Sequence, residues 1–81
     1  MIEKSIGKSI RKYREKANIS QEMLAEAVEL SITSISNIER GINYPTMDNF
    51  IKIANYIGAS ADELLSGAVD KSYVIELSEI T

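Results

Sequence analysis

Cysteine and histidine are both absent from the 81 residues of this chain. Without cysteine there is no disulfide framework and no thiolate metal site, a composition compatible with a reducing compartment. Without histidine the commonest general base, the usual partner of a nucleophile and the favoured zinc ligand are lost together. The carboxylates are scattered over faces expected to be solvated, so no acid, base or nucleophile constellation remains for an enzyme, and neither a metal nor a cofactor is expected. No apolar run approaches the roughly 18 to 20 residues of a membrane helix, and nothing resembles a signal peptide. The expectation is a soluble, cytoplasmic protein without a membrane partner. Basic residues are also few, nine against twelve acidic, for a net charge of −3.

What is present is helical periodicity, broken by caps and turns into five segments. The first helix is expected over about residues 5–17, burying Ile6, Ile10 and Tyr13, with Asn18 suited to the left-handed geometry that ends helices. Ser20 and Ser31 are N-caps of two short helices. Gly41 stops the third helix, and Pro45 makes a loop of the residues before it. Thr46 starts a fourth helix with a predicted buried stripe of Met47, Phe50, Ile51, Ala54 and Ile57, ending at Gly58. Ser60 and Glu63 form a capping box for a short fifth helix ending at Gly67. The fold class is all-α, one domain over residues 1–67 followed by a tail over residues 68–81. A chain this short buries a modest core, for which dimerisation is a natural supplement.

The stretch Q-E-M-L-A-E-A-V-E-L-S-I-T-S-I-S-N-I-E-R-G, residues 21–41, carries the most information. Two amphipathic helices sit about three residues apart, which leaves room only for a tight corner. The first buries Leu24, Ala25 and Val28. The second turns Ile35 and Ile38 inward and leaves Thr33, Ser34, Ser36 and Asn37 on a small, neutral, hydrogen-bonding face narrow enough for a major groove. This reads as a DNA-reading helix-turn-helix.

The same residues resemble the repressor and Cro-type helix-turn-helix domains of bacteria and their phages, the xenobiotic-response-element-like regulators. The resemblance begins at I-G-K-S-I-R-K-Y-R-E-K (residues 6–16), runs through S-Q-E-M-L-A (20–25) and S-I-S-N-I-E-R-G (34–41), and ends at A-D-E-L-L (61–65), about sixty residues in all. It implies a five-helix repressor-like domain with the helix-turn-helix at helices 2 and 3. It further implies that Gln21 bonds a phosphate and braces the recognition helix, and that Ile32, Thr33 and Asn37 read bases. Asn37 has the amide geometry for N7 and N6 of adenine, while Ile32 and the Thr33 methyl suit thymine methyls. Arg40 and Asn43, with the backbone amides up to Met47, are implied to hold the sugar-phosphate chain, and Ser34 to reach a phosphate of that chain or a base edge. Arg14 and Glu39 match positions the family often pairs, an ion pair that pins helix 3 against helix 1 and has a positional role rather than a DNA contact.

Three positions depart from the family pattern. Glu29 stands where glycine is common at the corner, and positive φ there costs a non-glycine residue about 1 to 2 kcal/mol. Met23 replaces a common glutamate, so it cannot complete a capping box with Ser20. Ile32 occupies an often polar or basic place, and contacts either thymine methyls or a protein surface.

Charge is distributed unevenly. Lys4, Lys8, Arg11, Lys12, Arg14 and Lys16 against Glu3 and Glu15 give residues 1–19 a local charge of +4, leaving −7 for the rest. Such a chain can orient on a duplex, yet it should hold random DNA weakly because phosphate neutralisation supplies most non-specific affinity. In the tail, Tyr73, Ile75 and Leu77 alternate as in a strand, while Tyr73, Val74, Leu77 and Ile80 would also make a helical stripe. Both conformations stay open, and a dimer contact is the favoured use of either.

The expected function is therefore sequence-specific binding of double-stranded DNA by a homodimer, more often to repress than to activate, with the protein on the nucleoid when bound. The alternative is an antitoxin-like or anti-repressor module that binds a protein through the Ile32 edge or the tail. Salt separates the two, since DNA binding weakens linearly on a log scale with salt and apolar protein contact does not.

Overall fold

The five amphipathic segments fold as α1 (Ile2–Lys16), α2 (Gln21–Val28), α3 (Ile32–Glu39), α4 (Met47–Ile57) and α5 (Ala61–Leu65). The structure is a computed structural model that describes residues 2–65, with side chains from residue 5 onward. Among these residues there is no strand, and they are all-α as expected. α1 begins at Ile2 rather than near residue 5, and ends at Lys16 rather than 17. The expected stop at Gly67, the division between residues 67 and 68, and the strand-or-helix tail lie outside the described residues.

Four helices start on a side-chain oxygen that replaces a missing backbone acceptor. Ser20 Oγ accepts the Met23 N–H at 3.0 Å, Ser31 Oγ the Ser34 N–H at 3.0 Å, and Thr46 Oγ1 the Asn49 N–H at 3.1 Å. At α5 the bond is reciprocal: Ser60 Oγ accepts the Glu63 N–H at 3.0 Å and Glu63 Oε1 accepts the Ser60 N–H at 2.9 Å. That backbone N–H is the main reason the Glu63 carboxyl sits below the ordinary glutamate range.

Helix ends share a second device. Asn18, Glu29, Gly41 and Gly58 follow α1, α2, α3 and α4 in the left-handed region, with φ of 58°, 59°, 78° and 72°. Each reversal lets the next N–H reach back to the carbonyl five residues earlier: Ile19 to Arg14 at 3.1 Å, Leu30 to Ala25 at 2.9 Å, Ile42 to Asn37 at 2.9 Å and Ala59 to Ala54 at 3.1 Å. Ile19, Leu30 and Ala59 then pack on the core, whereas Ile42 stays exposed. The corner at Glu29 is therefore built with a glutamate in a conformation that suits glycine.

The core joins Ile6 and Ile10 of α1, Leu24, Ala25 and Val28 of α2, Ile35 and Ile38 of α3, and Leu64 of α5 to one face of α4. Tyr13 is only partly buried against it. The predicted α4 stripe needs correcting. Met47 and Ile51 are 71% and 50% exposed, and the fully buried Ile53 joins Phe50, Ala54 and Ile57 in the core. α4 is apolar on two overlapping faces, and the face chosen is the one that meets α1, α2 and α5.

α3 touches only α1 and α2 among the described helices. Its carbonyl end lies against Gly7 of α1, where an added Cβ would strike the Ile38 carbonyl oxygen and lie 2.7 Å from that of Glu39. A glycine inside a helix costs about 1 kcal/mol relative to alanine. Here it permits backbone contact between α1 and the end of α3. Gly7→Ala is expected to lower stability by about 2 to 3 kcal/mol despite its better helix propensity. Glu29→Gly is expected to raise it by about 0.5 to 1 kcal/mol by relieving the left-handed strain. Urea unfolding of both variants checks the two opposite signs.

Candidate nucleic-acid interface

The inner edge of α3 is held by one hydrogen-bonded hub. Arg14 Nε donates to Glu39 Oε2 at 2.6 Å and Nη2 donates to Oε1 at 3.0 Å, a two-pronged bond from α1 to the last residue of α3. Arg14 Nη1 donates to the Ile19 carbonyl at 2.7 Å, and Gln21 Nε2 donates to Glu39 Oε1 at 3.0 Å. One carboxylate thus ties α3 to α1 and to the first residue of α2. Arg14 and Glu39 are only 8% and 6% exposed. At Arg14 the hydrogen bond to Glu39 outweighs the burial that opposes charge, holding the guanidinium protonated more firmly than an exposed arginine. Such a pair contributes geometry more than net stability.

With its inner face fixed, α3 projects three rows of side chains at helical spacing. Thr33 and Asn37 form the crest, Thr33 exposed and Asn37 half-buried. Ile32, Ser36 and Arg40 line one flank, facing a groove between α1 and α3; Ile32 is 49% exposed and Arg40 is exposed. Ser34 lies on the other flank, in a recess shared with Asn43, Tyr44 and Thr46 from the loop before α4. The Ser31 hydroxyl donates to Ser34 Oγ at 2.9 Å, which fixes the position of that oxygen. The structure thus brings Ile32, Thr33, Ser34, Asn37, Arg40 and Asn43 onto one surface, with Gln21 at its edge.

The fold sets the partners of two groups at this surface. Gln21 spends one amide N–H on Glu39, leaving the second for an outside acceptor. In the loop, the Asn43 N–H turns toward the Asn37 carbonyl at 3.4 Å and Pro45 has none; at the start of α4 the N–H groups of Thr46, Met47 and Asp48 precede the helix's own ladder. Gly7 was not predicted from the sequence, although a lone glycine inside a helical pattern is a signal for close packing.

The chain is similar to known proteins. Residues 10–64 match the family described as "Helix-turn-helix". The chain is 42% identical over 60 residues to the control protein C.BamHI of Bacillus amyloliquefaciens, covering 73% of this chain and 74% of that protein. It is 40% identical over 58 residues to the transcriptional activator BcrR of Enterococcus faecalis, covering 72% of this chain but only 28% of BcrR. The crystal structure of the restriction-modification controller protein C.AhdI from Aeromonas hydrophila superposes with a TM-score of 0.70 at 28% identity, covering 75% of this chain and 92% of that one.

Removing either member of the buried pair is expected to cost about 3 to 5 kcal/mol, because its partner is left charged and dry. Arg14→Met combined with Glu39→Leu should cost less than either single change. Urea unfolding of the three variants tests this order, and additive losses would contradict it.

Proposed function

The chain belongs to the helix-turn-helix family, and from that membership we propose that it is a DNA-binding transcriptional regulator and not an enzyme. It acts as a homodimer on a pseudo-palindromic operator, with two copies of α3 in successive major grooves about 34 Å apart. The observation that carries this reading is the crest of α3. Thr33 and Asn37 stand between two flanking recesses on a helix whose opposite face is buried and pinned at Glu39. Asn37 reads adenine, Thr33 and Ile32 contact thymine methyls, and Gln21, Ser34, Arg40 and Asn43 engage the sugar-phosphate chain. Arg14 and Glu39 fix the angle of α3 without touching DNA.

The dimer draws support from Met47 and Ile51, one turn apart on α4, whose side chains form an apolar face that the described residues leave open. Residues 1–67 are the DNA-binding part in this reading, and residues 68–81 serve dimerisation. Occupancy of the operator represses transcription when it excludes the polymerase. The similar proteins include an activator, so the sign follows from where the operator lies. The likeness to the control protein C.BamHI and to the restriction-modification controller protein C.AhdI supports a regulatory role.

Asn37→Ala is expected to lower affinity for the tightest-bound duplex by about 1 to 3 kcal/mol and leave affinity for scrambled DNA nearly unchanged. Fluorescence anisotropy on both duplexes at a stated salt concentration measures the difference. Equal losses on the two would remove Asn37 from base reading.

A further inference from the structure

We propose that the groove between α1 and α3 is a seat for the phosphates of one DNA strand, and that Arg11 of α1, outside the helix-turn-helix, holds them together with Arg40. The proposal rests on the DNA-binding reading and extends it to a residue with no role so far.

The chain has three arginines, Arg11, Arg14 and Arg40. All three line this groove, beside Gln21 and the Ile32 and Ser36 flank of α3. Arg14 is committed to Glu39 and Ile19. Arg11 and Arg40 reach the groove with exposed side chains, and Arg11 has only a long, solvated contact of 3.6 Å to Glu15 on its own helix. Glu22 also lines the groove. With Arg14 and Glu39 cancelling each other, two guanidiniums against one carboxylate leave it net positive in a chain that is net acidic.

The last turns of α1 divide their cations between two sides. Lys12 and Lys16 turn to the other side, each with Nζ 5.5 Å from the centre of the Tyr13 ring, and Lys16 lies near Glu63 of α5. The guanidiniums of Arg11 and Arg14 face the groove, and these two ammoniums lie beside Tyr13. A planar guanidinium offers the paired donors that match phosphate oxygens, which an ammonium does not. Position points to the same ligand. If the crest of α3 enters a major groove, its Ile32–Ser36–Arg40 flank faces one bordering strand, and the recess behind that flank receives that strand's backbone.

The test measures binding of the full chain to its best duplex and to random duplex over a salt series. Arg11→Ala is expected to weaken both about five- to tenfold near 100 mM salt and to flatten the slope of log K against log salt by about 0.9. Arg11→Lys should restore the slope, Lys12→Ala should leave both quantities at the parent's values, and Glu15→Gln, which removes a carboxylate beside Arg11, should not weaken binding. Neutral methylphosphonate placed at successive phosphates should weaken the parent at one or two positions and have a smaller effect there on Arg11→Ala, where Arg40 alone remains. A parent that binds while Arg11→Ala matches it in affinity and slope overturns the seat alone. Shared loss in Glu15→Gln also overturns it, by assigning the effect to the helix. A parent that binds no duplex overturns the DNA-binding reading and the seat with it.

Discussion

A guanidinium and a carboxylate withdrawn from water set the geometry on which the rest of this molecule depends. Glu39 closes α3, and through its two oxygens it accepts from Arg14 on α1 and Gln21 on α2. Apolar packing by Ile35 and Ile38 draws α3 onto the core, but such packing tolerates sliding and rotation. The directional bonds remove that freedom. A small shift in α3 would break several charge-assisted bonds at once and leave buried charge unpaired. The backbone contact at Gly7 acts at the same end of α3, so side-chain and main-chain constraints converge on Glu39. Gln21 links this hub to the outside through its remaining amide hydrogen, placing a surface donor in fixed relation to the reading helix.

The shortage of cations gives that rigidity its purpose. A strongly basic domain gains affinity from any phosphate backbone, whereas this chain carries −3 overall. In the proposed reading its discrimination comes from short-range contacts by Thr33, Asn37 and Ile32, which reward correct placement and lose value quickly with misalignment. A pinned helix with a neutral crest fits that requirement. The few exposed guanidiniums are correspondingly concentrated: Arg11 and Arg40 share the groove beside α3 and are not spread over the surface.

Most of the helical framework was legible because it is written in local signals. Ser20, Ser31, Thr46 and Ser60 mark helix starts by chemistry that involves three or four neighbouring residues, and Asn18, Gly41 and Gly58 mark stops in the same way. Glu29 shows that a fold can impose a left-handed residue against local preference once the partners on either side are fixed. What sequence could not decide was set by tertiary contact. α4 carries apolar residues around much of its circumference, and the choice of Ile53 over Met47 and Ile51 depends on which neighbours dock on it. Gly7 matters only because the end of α3 crosses there. Among the proposed contact residues, spacing indicated that Thr33 and Asn37 share a face, while the grouping of Arg11 with Arg40 required two helices to be placed side by side.

The most direct test is selection of bound sequences from random duplex DNA at about 100 mM salt, with the mass of the protein in solution measured alongside. An operator-reading dimer enriches an inverted repeat whose half-site centres lie about 10 base pairs apart. A folded protein that enriches no sequence at any salt would contradict sequence reading by α3 and turn attention to a protein partner for its exposed Ile32 edge.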